Sequence, residues 1–136
     1  MPHAIRIAIG KAIFDAELND TGTAARILDA LPIDGEVNRW GDEIYFAIPV
    51  KGDKSDSMRT EMGIGELAYW PPGAAFCIFW GPTPASKGDE PRAASNVVPV
   101  GRIVGEVKDL SASRDGEPVR IEKVASALGD RRAAGE

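Results

Sequence analysis

The chain has 136 residues, with 21 acidic against 16 basic side chains, a formal net charge of -5, one histidine and one cysteine. Such a length encloses one hydrophobic core and matches a single domain, and with no basic run longer than Arg131-Arg132 the acidic balance excludes a phosphate-tracking surface. Nucleic acid is therefore not expected as a partner, and His3 and Cys77 alone cannot supply the three or four ligands of a zinc site, so neither metal nor cofactor is expected.

A lone cysteine forms no intramolecular disulfide. Cys77 lies in the apolar run FCIFW, which predicts a buried, inert thiol and fits a reducing cytoplasm. Nowhere do about 18 apolar residues run together, and MPHAIRIAIG lacks a small-residue cleavage site, so neither a membrane span nor secretion is expected.

In chain order, Ile5, Ile7 and Ile9 alternate with Arg6 and Ala8 in the period of a half-buried strand, and Gly10-Lys11 turns the chain into a second strand over 12–18. The period changes at Thr23. Ala24, Ile27, Leu28 and Leu31 fall at i, i+3, i+4 and i+7, Thr21 or Thr23 can cap the start, and Pro32 prevents extension. This predicts one amphipathic helix over 24–31, closing one end of what the strands enclose. A hairpin follows, 36–39 with 43–48 around Trp40-Gly41-Asp42; Ile44, Phe46 and Ile48 share one face, while Glu43 and Tyr45 on the other carry the polar chemistry. Residues 51–62 read as a polar loop, the least constrained part of the domain, with a short strand near its end.

The aromatic centre of the chain is 65–84, GELAYWPPGAAFCIFWGPTP, with strands over 66–70 and 76–80 separated by Pro71-Pro72-Gly73, which cannot continue a ladder. A polar loop over 85–95 borders these strands. Residues 96–107 form a bent strand, 108–113 a short helical turn, 119–124 a last strand, and 125–136 a flexible tail lacking apolar anchors beyond Leu128. Strands this close together leave no room for crossover helices, and closure into a small barrel removes their exposed edges.

Few constellations carry chemistry. His3 stands in a terminal segment with no nucleophile elbow to serve, and the phosphate-loop echo at 81–88 fails because two prolines remove amide donors. Close carboxylate pairs arise by chance in so acidic a chain. The more informative set is aromatic plus arginine: Arg39, Trp40, Tyr45, Tyr69, Trp70, Phe76, Phe79, Trp80 and Arg102. Most of those rings fill a core, whereas Arg39 and Arg102 need a carboxylate or a ligand for their forked donors, and for Arg39 pairing with Glu43 and a role in a cleft are equal alternatives.

Taken together, VNRWGDEIYFAIPV (37–50), GELAYWPPGAAFCIFWGPTP (65–84) and NVVPVGRIVGEV (96–107) resemble the small prokaryotic cyclophilin-like family over most of residues 4–124. The resemblance implies a mainly β domain at 1–124, a closed eight-stranded cyclophilin-like β-barrel capped by one or two short helices, and brings no established activity. True cyclophilins are similar in segment order, which makes Arg39 the one candidate for a catalytic arginine. Ile44 and Ala47 stand where their Phe-x-x-Gln would be, and Asn96 where they have histidine. The resulting expectation is a cytoplasmic domain binding a small molecule or peptide in a cleft formed by Arg39, Glu43, Tyr45, Trp70, Phe79, Asn96 and Arg102. The alternatives are weak prolyl isomerisation through Arg39 and a protein-interaction module, with homo-oligomerisation left open.

Overall fold

The computed structural model describes residues 2–124, so the expected tail at 125–136 lies outside the described residues. Among the described residues there are ten strands, one α-helix and two short 3-10 turns. The alternating isoleucines form β1 (His3–Ile9), and the left-handed Gly10 (φ 57) turns it into β2 (Ala12–Leu18), paired from His3 opposite Leu18 to Ile9 opposite Ala12. α1 (Gly22–Ala30) begins one residue after Thr21, whose hydroxyl accepts from the Ala24 N–H at 3.1 Å, and Pro32 follows its end.

The remaining strands are β3 (Ile33–Glu36), β4 (Asn38–Arg39), β5 (Glu43–Ala47), β6 (Arg59–Glu61), β7 (Glu66–Trp70), β8 (Ala75–Phe79), β9 (Arg92–Ile103) and β10 (Pro118–Lys123). They are ordered β3-β10-β1-β2-β9-β7-β8-β5-β4, with β6 paired to β9 off this path. The eight-stranded barrel expected from the resemblance is not closed by hydrogen bonds: no ladder joins β3 to β4. Those two ends are instead consecutive pieces of one segment, separated by Val37, whose N–H donates to Glu117 and whose carbonyl accepts from Gly116. The count is ten because that segment is divided between β10 and β5, and because the long β9, paired with β2 and β7, also takes the short β6.

Strand alternation divides the apolar side chains between two clusters. Ile44 and Phe46 of β5, Leu67 and Tyr69 of β7, Phe76 and Ile78 of β8 and Val98 and Val100 of β9 join β1, β2, β10 and α1 in the larger, inner core. Ala68, Ala75, Cys77, Phe79, Ala93 and Val97 point the other way and, with Met62, make a smaller outer cluster against which Tyr45 and Trp70 pack. Gly101 lets β2 and β9 approach: a Cβ there would sit 2.0 Å from the Glu17 carbonyl oxygen.

Two loops differ from their expected state. The 51–58 segment is tied to α1 rather than loosely constrained: Asp56 accepts from Thr23 N–H at 2.7 Å and from its hydroxyl at 2.6 Å, and Arg26 donates to the carbonyls of Lys51 and Gly52. Asp56 thus serves the free amides of the helix start from a distant part of the chain, a pairing no local pattern reveals. The second polar loop ends early, because β9 starts at Arg92 rather than 96. Among the described residues no helix is long and apolar enough to cross a membrane.

Candidate functional site

The outer face is where Glu43 and Tyr45 lead. On β5 and β8, Glu43 lies opposite Phe79 and Tyr45 opposite Cys77, which puts all four on the side away from the inner core. Trp70 at the end of β7 and Ala93, Ala94 and Val97 on β9 complete a wall, and Trp40 reaches it from the β4–β5 turn. Large half-buried rings therefore stand around a floor of short side chains, and short side chains cannot fill the gap between them. The result is a half-open cavity of about 230 Å³ with mainly apolar walls.

One ionisable acid lines it. Glu43 is only 5% exposed, and burial pushes its carboxyl from an ordinary 4.5 up to about 7, against a smaller opposing effect of the Cys77 thiol hydrogen-bonded to it. Cys77 is free and buried, and its burial, followed by the neighbouring Glu43, pushes the thiol well above its usual range. It stays a protonated thiol near neutrality and is a poor nucleophile. Glu43, by contrast, changes protonation near neutral pH, so it can donate to, accept from or pair with an occupant. Trp70 has its indole N–H committed to the Ser95 hydroxyl at 2.8 Å, which anchors the ring at the rim.

Of the residues expected at a cleft, Glu43, Tyr45 and Trp70 meet at this cavity. Phe79 lies fully buried beneath, in the outer cluster. Asn96 is exposed on β9 next to Val97 and does not line the cavity. Arg102 lines a different depression with Asn19, Asp20 and Gly63, and donates to Glu17 at 2.9 Å.

Arg39 is also elsewhere. It lies opposite Ile44 on the inward-facing side, one residue out of phase with Glu43, so strand alternation keeps the expected Arg39–Glu43 pair apart. Its guanidinium donates to the carbonyls of Gly41, Ser111 and Ser113 and to Asp42, and stacks 5.1 Å from the Trp80 ring centroid. This cluster pins the β4–β5 turn to the 3-10 turn at Lys108–Ala112.

Sequence reasoning placed Trp40 among the informative rings and Cys77 in the interior without joining either to a cavity. Ala93, Ala94 and Val97 were missed, and nothing local marks an alanine as a cavity wall. Their signal is relational: Cys77 shares a face with Phe79, and the strand facing it carries small residues where others carry branched ones.

The loop between β8 and β9 satisfies its own polar groups. Thr83 N–H donates to Ser86 at 2.8 Å, and the N–H of Lys87 and Gly88 each donate to Glu90 at 2.8 Å. The Lys87 amide foremost, with further hydrogen bonds behind it, lowers Glu90 to about 2. The carboxylate already fills the place a bound anion would need, consistent with the rejected phosphate loop. Among the described residues, no three His, Cys, Asp or Glu side chains are grouped to hold a metal ion.

Comparison with known proteins places this geometry in a family. No curated protein matches the chain. A solved structure, the solution structure of a hypothetical protein from Archaeoglobus fulgidus, is similar at 38% sequence identity and a TM-score of 0.77, covering 90% of this chain and 95% of that one. The Cyclophilin-like family model matches residues 3–122, and the chain belongs to the cyclophilin-like family.

Proposed function

We propose that the domain binds a small organic molecule in the outer cavity, with Trp40, Tyr45 and Trp70 as walls and Glu43 as the polar anchor. The observation carrying this reading is the cavity itself: it holds about 230 Å³ between half-buried rings and contains one buried acid. Binding sites of this kind are concave, largely apolar and fitted with few polar groups. The volume exceeds the roughly 150 Å³ that accommodates benzene in an engineered protein cavity, so a single-ring compound or a branched molecule of similar bulk fits. A peptide would enter by one side chain. The depression around Arg102 is larger, about 440 Å³, but no aromatic residue lines it.

Arg39 weighs against the isomerase alternative. Prolyl isomerisation requires a donor aimed at the twisted amide in the cleft, and four donor bonds of this guanidinium are made inside the protein, outside the cavity. The curled sheet is read as a barrel whose seam is the chain through Val37, which leaves the outer face of β5, β8, β7 and β9 for binding.

A panel of single-ring and branched fragments, neutral, cationic and anionic, tests the reading through the Trp40 and Trp70 indole N–H resonances. We expect at least one fragment to shift both in the wild type and neither in Ala93→Leu, which fills the cavity. No shift with any fragment, or equal shifts in both proteins, overturns the reading.

A further inference from the structure

Resting on that reading, we infer that the natural occupant is a small organic cation, an alkylated ammonium or amine, held by the Glu43 carboxylate among the faces of Trp40, Tyr45 and Trp70. Three features of the cavity converge on this class.

The first is charge. Glu43 is the one acid in the wall, and no lysine, arginine or histidine lines it. Arg39, the basic residue nearest in sequence, points to the other side of β5 and is bound to Asp42 and Ser111. Buried carboxylates ordinarily come with a partner, and this one has a thiol. An anionic occupant would face a carboxyl with no compensating donor cation, whereas a cationic one supplies the missing charge.

The second is the set of rings. Three half-buried aromatic residues border a single acid, and an aromatic face attracts a cation most strongly where water is excluded. The indole N–H of Trp70 is already satisfied by Ser95, so that ring offers the cavity apolar surface and π-density rather than an unmet donor.

The third is the state of the acid. Desolvation holds Glu43 protonated up to about pH 7, the response of a carboxyl in a site without its counter-ion. A bound cation stabilises the charged form, so the carboxyl ionises as the ligand enters, and its proton leaves to solvent.

The probes are choline, its neutral isostere 3,3-dimethylbutan-1-ol and the anion 3,3-dimethylbutanoate, titrated into the full chain and followed by indole resonances. We expect choline to bind at least tenfold more tightly than the alcohol and the acid anion not to bind. Glu43→Gln, which keeps the shape of the protonated acid, is expected to erase that preference while retaining the alcohol. Trp70→Leu, a second variant that leaves Glu43 in place, is expected to weaken choline at least fivefold. Equal binding of choline and the alcohol, or preference for the anion, overturns the cation inference and leaves the cavity reading standing. If none of the three binds while other fragments do, the cation inference also falls; if no fragment of any charge binds, both readings fall.

Discussion

The same four strands, β5, β7, β8 and β9, present two apolar faces that obey different rules. On the inner face Phe46 and Phe76 stack with ring centroids 5.5 Å apart, and Ile44, Leu67 and Ile78 lie fully buried around them. Outward, the corresponding positions around the cavity are Ala68, Ala75, Cys77 and Ala93, with Phe79 and Val97 buried beside them and the half-buried rings of Trp40, Tyr45 and Trp70 at the margin. Apart from Glu43, the lining of the outer cavity is apolar as the inner core is, and the difference lies in side-chain size. Branched side chains interlock and leave no space, whereas short ones bordered by rings leave a cavity. Close packing is thus concentrated on one side of the sheet, and the proposed binding cavity lies on the other.

The largest effect that sharpens this contrast is a truncation inside. Phe76→Ala should cost about 4 kcal/mol of unfolding free energy, measured by urea denaturation, because Phe46 and Tyr69 on the two flanking strands hold the void open. A loss below about 1 kcal/mol would erase the distinction between faces.

The next effect separates the faces by pH. Below 4.5 Glu43 is protonated in both folded and unfolded chains; between 4.5 and about 7 the unfolded chain releases the proton while the folded one retains it. Fewer protons on the unfolded state mean that stability falls as pH rises through this window, by about 3 kcal/mol in all, with no further loss above it. The wild-type minus Glu43→Gln difference in stability, taken at pH 4 and pH 8 so that other carboxylates cancel, reads this directly. A difference that does not change with pH contradicts a buried acid without a counter-ion.

Smaller is the effect of Arg39→Ala. Losing the bonds to Ser111, Ser113 and Asp42 and the stack on Trp80 should cost about 2 kcal/mol by thermal or urea unfolding, with binding in the cavity unchanged. Loss of binding without loss of stability would move Arg39 back into the cleft. Smallest is Ala93→Leu, which adds volume where space exists and should shift stability by less than about 1 kcal/mol while abolishing binding. A large destabilisation would mean that the outer face is packed as tightly as the inner one.

Much of this was legible in the sequence. The alternation of Ile44, Phe46 and Ile48 against Glu43 and Tyr45 assigned the two sides of β5, the prolines at 71 and 72 located the break between β7 and β8, and of the two threonines offered as caps for α1 it is Thr21 that serves, the helix starting two residues ahead of the expected 24. The motifs at 37–50, 65–84 and 96–107 led to the family. What stayed hidden was long-range. Whether Arg39 faces Glu43 or Asp42 depends on which partner strand sets the phase of a two-residue ladder, and nothing local records that. Asp56 as the partner of a helix start some thirty residues earlier is equally silent, and the loop around it looked unconstrained for that reason. The cavity escaped notice because it is made by what alanines lack. Hydrogen-bond closure of the sheet was likewise beyond reach, since alternation counts strands without saying which edges meet.

The most direct test of the central claim is the set of intermolecular NOEs between the tightest-binding fragment and the protein's ring protons. Contacts to Tyr45 and Trp70 together are the predicted result. Contacts gathered instead around Leu18, Ile64 and Arg102 in the other depression would place recognition elsewhere and contradict the account.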